Sequence, residues 1–329
     1  MSRVATIGVI GAGAWGVALA NVAAGAGRRV VLWGRDPAAM RDLAATRRSP
    51  RLPGAALAEA IEASDDLAAL GRCEMLLVAV PAQETRGVAA ALARRLAPGA
   101  TLVACAKGIE RGSGLFMTEV LADAAPGYRR AVLSGPSFAA DVAAGLPTAV
   151  TLASADRAQA RALAEALYRP NFRVYHAQDV RGVEIGGAAK NVLAIACGIA
   201  AGLGLGPSAG AALIARGFAE LSRFGAAFGA RPQTLMGLSG LGDLVLTCST
   251  AQSRNFAFGL ALGEGRGLAE AAGGKLVEGA ATAGALLEMA RGRGIEMPIV
   301  ASVAGVVSGA RDVRAAVDAL LARPPRAEA

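Results

Sequence analysis

The chain has 329 residues, 54% hydrophobic and 18% charged, enough apolar surface for about two packed domains and too much for a disordered protein. Its formal charge of +8 comes almost wholly from scattered arginines, and aromatics are 4%, so the basic stripe and stacking rings of a nucleic-acid binder are missing. His176 is the only histidine and Cys73, Cys105, Cys197 and Cys248 are widely spaced; histidine triads, histidine acids and metal sites are disfavoured, and the cysteines read as core residues of a reducing compartment.

At the start, the charge-free run from Val4 to Gly27 behind Arg3 has the outline of a secretory leader, but glycines at 8, 11, 13, 16, 25 and 27 interrupt the apolar core a leader needs. Candidate strands follow at Ala5–Ile10, Arg29–Trp33, Met75–Val80, Thr101–Ala106, Ala131–Ser134 and Thr148–Ala153, with helix-length stretches at 14–26, 36–46 and 84–96. Such alternation predicts a parallel sheet covered by helices on both faces. From about Val183 only helical segments remain, at 184–201, 207–229, 231–236, 253–263, 278–292 and 298–307. The expected organisation is a dinucleotide-type α/β domain over 1–183 and an all-α domain over 184–329, with a frayed tail after about Leu321. The apolar stretch 192–205 reads as a buried helix, and no membrane span is expected. A cleft between the two domains is the natural ligand site.

Gly11-Ala12-Gly13-Ala14-Trp15-Gly16 is a GxGxxG between the first strand and the first helix. There Gly11 permits the tight turn, Gly13 lets backbone approach a pyrophosphate, and Gly16 allows close helix–strand packing. The helix N-terminus supplies free N–H groups to the phosphates. This predicts a Rossmann-type, doubly wound N-terminal domain that binds NADPH or NADH. At the end of the second strand, Arg35 stands about where an acid would hold the ribose, and its guanidinium suits a 2′-phosphate. Asp36 either helps there or caps the helix that begins at Pro37.

The three lysines are Lys107, Lys190 and Lys275. Lys107 follows an apolar strand, at the carboxyl end where open α/β proteins bind ligands. Lys190 lies in Gly186-Gly187-Ala188-Ala189-Lys190-Asn191-Val192, an apolar helical setting in which an ammonium is costly unless paired or used; the alternative is a side chain that snorkels to solvent. Lys275 reads as an exposed loop residue. Ser134-Gly135-Pro136-Ser137 offers hydroxyl and backbone donors, and Asp243 stands alone among glycines and apolar residues. Ser253-Arg254-Asn255 groups polar side chains with a guanidinium that suits a phosphate, although Asp243 and Ser253 are each equally suited to helix capping.

Taken together, Gly-Gly-Ala-Ala-Lys-Asn-Val (186–192), Ser-Gly-Pro-Ser-Phe-Ala (134–139), Gly-Leu-Gly-Asp-Leu (240–244), Gln-Ser-Arg-Asn (252–255), Ala-Lys-Gly-Ile-Glu (106–110), Leu-Trp-Gly-Arg-Asp (32–36) and Val-Glu-Gly (277–279) resemble the bacterial NAD(P)-dependent glycerol-3-phosphate dehydrogenases. The resemblance runs from about residue 6 to beyond 300. It implies reduction of dihydroxyacetone phosphate, with Lys190 as proton donor and a product that feeds phospholipid synthesis in the bacterial cytoplasm. By matched position, Lys107, Gly135, Ser137, Lys190, Asp243, Ser253, Arg254 and Asn255 line the substrate. Gly11, Gly13, Ala14, Trp15, Gly16, Arg35, Lys107, Ala139, Arg254 and Glu278 line the cofactor. Ala14 replaces a serine common in the family, and Arg51 replaces a common aromatic. In the expected chemistry Asp243 orients Lys190 or a substrate hydroxyl, Arg254 and Asn255 anchor the phosphate, and Lys107 and Arg254 lower the Lys190 pKa. No metal is called for. The expected partner is a phosphorylated small molecule; a homodimer is left open. Two other readings stand beside this one: a hydroxy-acid dehydrogenase of the same plan with a lysine acid, and a silent NAD(P) sensor.

Overall fold

The computed structural model describes residues 4–324, so the last five residues of the tail expected to fray lie outside the described residues. Eight strands form one sheet: β1 (Thr6–Ile10), β2 (Arg29–Trp33), β3 (Ile61–Ser64), β4 (Met75–Val78), β5 (Thr101–Ala104), β6 (Arg129–Ser134), β7 (Thr148–Ala153) and β8 (Phe172–Ala177). Their spatial order is β3-β2-β1-β4-β5-β6-β7-β8, so the order reverses between β1 and β4. That reversal opens the crevice at the carboxyl ends where such sheets bind ligands. β1, β4 and β5 are buried at every position, as expected of strands covered on both faces.

Helices α1 (Ala14–Gly25), α2 (Pro37–Thr46), α5 (Ala139–Ala143) and α6 (Arg157–Leu167) pack one core against the sheet. Helices α3 (Thr85–Ala93) and α4 (Met117–Ala124) pack the other. Beyond Ala177 the described residues contain only helices: α7 (Val180–Gly202), α8 (Gly206–Ala227), α9 (Pro232–Leu235), α10 (Asp243–Cys248), α11 (Arg254–Gly263), α12 (Leu268–Ala272), α13 (Glu278–Arg291), α14 (Pro298–Val307) and α15 (Val313–Leu321). A third core lies among them. Helix α7 is its axis; by length and composition it is apolar enough to cross a membrane, yet most of it is buried inside this bundle.

The seam between α7 and α11 explains the glycines of both. A Cβ on Gly198 would stand 2.1 Å from the Phe256 carbonyl oxygen, and one on Gly259 would stand 2.2 Å from that of Ile195. Glycine at these positions lets the two backbones touch, which fixes the start of α11 beside the middle of α7.

Three features depart from the sequence reading. The junction β6–β7 is antiparallel, so the sheet is not parallel throughout. Strands β4 and β5 stop at Val78 and Ala104, because the chain turns away to form the ligand-side loops. Strands β3 and β8 and helices α4, α5, α6, α10, α12 and α15 have no counterpart in the expected elements. β8 is an edge strand whose Arg173, Tyr175 and His176 are exposed, so its sequence lacks an apolar run.

Candidate active site

The glycine loop folds as its spacing requires. Gly11 takes φ +111° and donates its N–H to the Trp33 carbonyl at 2.8 Å, which ties the loop to the end of β2. A Cβ on Gly16 would lie 1.8 Å from the Gly11 carbonyl oxygen, so only glycine lets α1 begin there. Gly13 is the N-cap of α1, and no side chain caps the helix. Nothing lies within 4 Å of where a Gly13 Cβ would be. An uncapped helix N-terminus facing open space fits a pyrophosphate. Two buried polar atoms here, Trp15 Nε1 and Glu278 Oε2, have no hydrogen-bond partner among the described residues. Burial raises the Glu278 carboxyl above its ordinary pKa, opposed by the hydrogen bond from Ala82 N and then by the charge of Arg254. These residues fit a nicotinamide dinucleotide.

At the end of β2, Asp36 accepts from Ala38 N at 3.0 Å and Ala39 N at 3.2 Å, so it caps α2. Arg35 is left exposed and pairs with Glu84 at 3.4 Å. Ala14 and Ala139 open α1 and α5, and Arg51 is exposed.

Lys107, on the loop after β5, donates to the Gly135 carbonyl at 2.9 Å and to Asp243 Oδ2 at 2.7 Å. Lys190, from the middle of α7, donates to Asp243 Oδ1 at 2.7 Å and to Thr247 Oγ1 at 2.6 Å. Lys190 is 6% exposed and Asp243 1%, so the lysine does not snorkel and the aspartate does not serve as a cap. An ammonium has three N–H donors; two are committed, which leaves one for a ligand. Burial lowers the Lys190 pKa to about 8, with Lys107 pushing the same way and Asp243 opposing. The expected contribution of Arg254 is corrected: it is not among the groups that act on Lys190. Burial disfavours the ionised Asp243, but the two ammonium groups outweigh it and hold the carboxyl below its ordinary value.

Ser137 Oγ donates to the same Gly135 carbonyl at 2.9 Å. Ser253 caps α11, its Oγ accepting from Phe256 N at 3.3 Å. Asn255 is engaged within the fold. Its Nδ2 donates to Asn191 Oδ1 at 3.0 Å and its Oδ1 accepts from Gly279 N at 2.9 Å, so its amide stitches α7, α11 and α13 together. Asn191 in turn donates to the Lys107 carbonyl at 3.1 Å. Arg254, beside it in sequence, is exposed. Thr247 escaped the sequence reading; the one available signal was its i, i+4 spacing from Asp243 on α10. Lys275 is exposed, as expected.

A doubly wound sheet with a glycine-loop helix, set against a helical body so that one lysine from each meets the same buried carboxylate, defines a two-domain nicotinamide-dependent dehydrogenase. Comparison with known proteins narrows the class. The family model described as NAD-dependent glycerol-3-phosphate dehydrogenase N-terminus matches residues 6–160, and its C-terminal counterpart matches 179–318. The chain is 63% identical over 330 residues to a glycerol-3-phosphate dehydrogenase (NAD(P)+) of Azorhizobium caulinodans, covering 100% of both. It is 60% identical to the same enzyme of a Bradyrhizobium species, over 98% of each chain. The crystal structure of glycerol-3-phosphate dehydrogenase from Coxiella burnetii superposes with TM-score 0.93 at 40% identity, covering 98% of this chain and 100% of that one. The chain belongs to the NAD-dependent glycerol-3-phosphate dehydrogenase family.

Proposed function

We propose that this chain reduces dihydroxyacetone phosphate to sn-glycerol 3-phosphate, reversibly, with NADPH or NADH. The observation that carries the reading is the buried Lys190–Asp243–Lys107 cluster in a chain of this family. When bound, the reduced nicotinamide supplies a hydride to the C2 carbonyl carbon. Gly11, Gly13, Ala14, Trp15 and Gly16 would hold the pyrophosphate end, Arg35 the adenine ribose, and Ala139 and Glu278 the rest.

Lys190 gives its remaining proton to the carbonyl oxygen as negative charge develops there. A lysine with a pKa near 8 suits this task at neutral pH better than an ordinary one, since acid catalysis works best near the operating pH. Asp243 keeps the ammonium protonated and aimed; Thr247 accepts its second hydrogen bond. Lys107, Gly135 and Ser137 form the wall beside the carbonyl. Arg254, with Ser253 at the same helix start, takes the phosphate, whose binding energy positions the carbonyl. Asn255 supports this anchor from behind.

In the same proposal the chain divides near 183 into a cofactor domain and a substrate domain, and works in the cytoplasm, in keeping with four reduced, buried cysteines. Its product would supply glycerophospholipid synthesis. The test is loss of reduced-nicotinamide absorbance with dihydroxyacetone phosphate, run with NADH and NADPH in parallel. Rapid oxidation of either supports the reading; none, in protein that binds the cofactor, removes the substrate. An NADH preference of about tenfold or more would remove Arg35 from its role, since a guanidinium there suits a 2′-phosphate.

A further inference from the structure

Lys107 rides on a loop between β5 and α4 whose only pairing of strand type is an isolated bridge from Ile109 to Phe116. Its ammonium nevertheless has to meet both Gly135 and Asp243. What holds the loop comes from outside the cluster. Gln83 donates to the Ile109 carbonyl at 2.9 Å and accepts from Arg111 N at 3.0 Å. Arg86, in the first turn of α3, grips Glu110 through both carboxylate oxygens, Nε to Oε1 and Nη2 to Oε2, each at 2.9 Å. Its Nη1 pairs with Asp123 of α4. Ser113 Oγ donates to Glu110 Oε2 at 2.6 Å.

We propose that Arg86 and Glu110 are positioning residues for Lys107: their two-pronged pair pins the loop three residues beyond the lysine and thereby sets where its ammonium stands against Asp243. A planar guanidinium meeting a carboxylate with two parallel bonds fixes angle as well as distance, which a single ammonium does not. The Arg86 hydrogen bonds hold the Glu110 carboxyl below its ordinary pKa, so the grip is in force at neutral pH. Neither residue belongs to the substrate or cofactor lining proposed above. The part Lys107 plays in turnover rests on that proposal; its position does not.

The consequence reaches Lys190. The groups that face Lys190 are Asp243, Thr247 and Cys248 of α10 and Lys107 of the loop. Lys107 is the one that pushes its proton off by charge. If the loop slackens, that repulsion weakens and Asp243 turns its full charge on Lys190.

The chain has three lysines, so lysine labelled with carbon-13 at Cε gives three NMR signals in the full-length protein. In Arg86→Leu, and in the milder Glu110→Gln, the Lys107 signal should shift and the Lys190 titration midpoint should rise above about 8, with exposed Lys275 as the unmoved control. Arg86→Lys should not restore the wild-type spectrum, because it keeps the charge without the fork. In turnover, kcat/KM for dihydroxyacetone phosphate should fall roughly 10- to 100-fold, the scale of an ångström-level misplacement, with NADH affinity retained. Unmoved Lys107 and Lys190 signals in both folded variants overturn the proposal, even if the melting temperature falls. If wild-type protein does not turn over dihydroxyacetone phosphate, the functional reading fails while the spectra still decide the positioning role.

Discussion

Asp243 and Lys190 meet at 2.7 Å with both side chains almost wholly withdrawn from water. The aspartate is the first residue of α10 and the lysine lies in the middle of α7, so the pair also fixes how these two helices dock. A buried ammonium beside a second ammonium is tolerable only because one carboxylate serves both.

Lys190→Ala should lower kcat by roughly 10²–10⁴, the usual share of acid–base catalysis, with cofactor affinity kept. The pH dependence has a definite sign. Reduction needs protonated Lys190, so its rate should fall as pH rises through about 8; oxidation of glycerol 3-phosphate needs the free amine and should rise over the same interval. Steady-state profiles in both directions check this, and a variant with near wild-type kcat removes Lys190 from the role.

Asp243→Asn removes the one negative charge between two ammonium groups. The Lys190 pKa should then fall below about 8, and the reduction optimum should move to more acid pH with a lower maximum. Stability should drop by about 3–5 kcal/mol, the usual cost of stripping one partner from a buried pair. Denaturant titration beside the pH–rate profile separates the two effects.

Arg254 and Asn255 are adjacent in sequence and should fail differently. Arg254→Ala should raise KM for the phosphorylated substrate strongly and leave stability within about 0.5 kcal/mol, as for exposed sites. Asn255→Ala breaks bonds to Asn191 and Gly279 and should cost about 1–3 kcal/mol for the buried groups left unpaired. Equal KM effects with no stability loss at Asn255 would return it to direct phosphate contact.

Glu184, buried on the first turns of α7, accepts from Thr118 N at 2.7 Å, and burial raises its pKa to about 7. The folded state therefore holds a proton that the unfolded chain releases near its ordinary value of 4.5. The stabilisation is complete below that value and is lost as pH rises through about 7. In Glu184→Gln the melting temperature should fall less between pH 5 and 7.5 than in wild type, with both pH values set about the shifted pKa; identical slopes would show that Glu184 is ionised in the folded protein throughout.

Some of this protein was set by local chemistry and was legible in the chain. Gly11 and Gly16 are required by a turn and a helix start that clash with any Cβ, so strand, loop and helix announce one another. Lys190 stood out because an ammonium among small apolar neighbours is expensive wherever that helix packs. Other outcomes depend on which surfaces meet. Asn255 carries no mark in its sequence of the helix stitch it makes; that bond depends on Asn191, 64 positions away. Ser253 and Asp36 proved to be caps because of the backbone that follows them, whereas Asp243, of a type equally suited to capping, was drawn into the interior by two lysines from distant segments. The antiparallel turn of β7 and the exposed edge β8 were invisible for the same reason: strand direction and edge position belong to the sheet, not to the strand. Local sterics and the cost of burying charge act within a few residues and so are written in sequence. Hydrogen-bond partners and the field around a titrating group are pairwise properties of distant segments, and they exist only once the chain has folded.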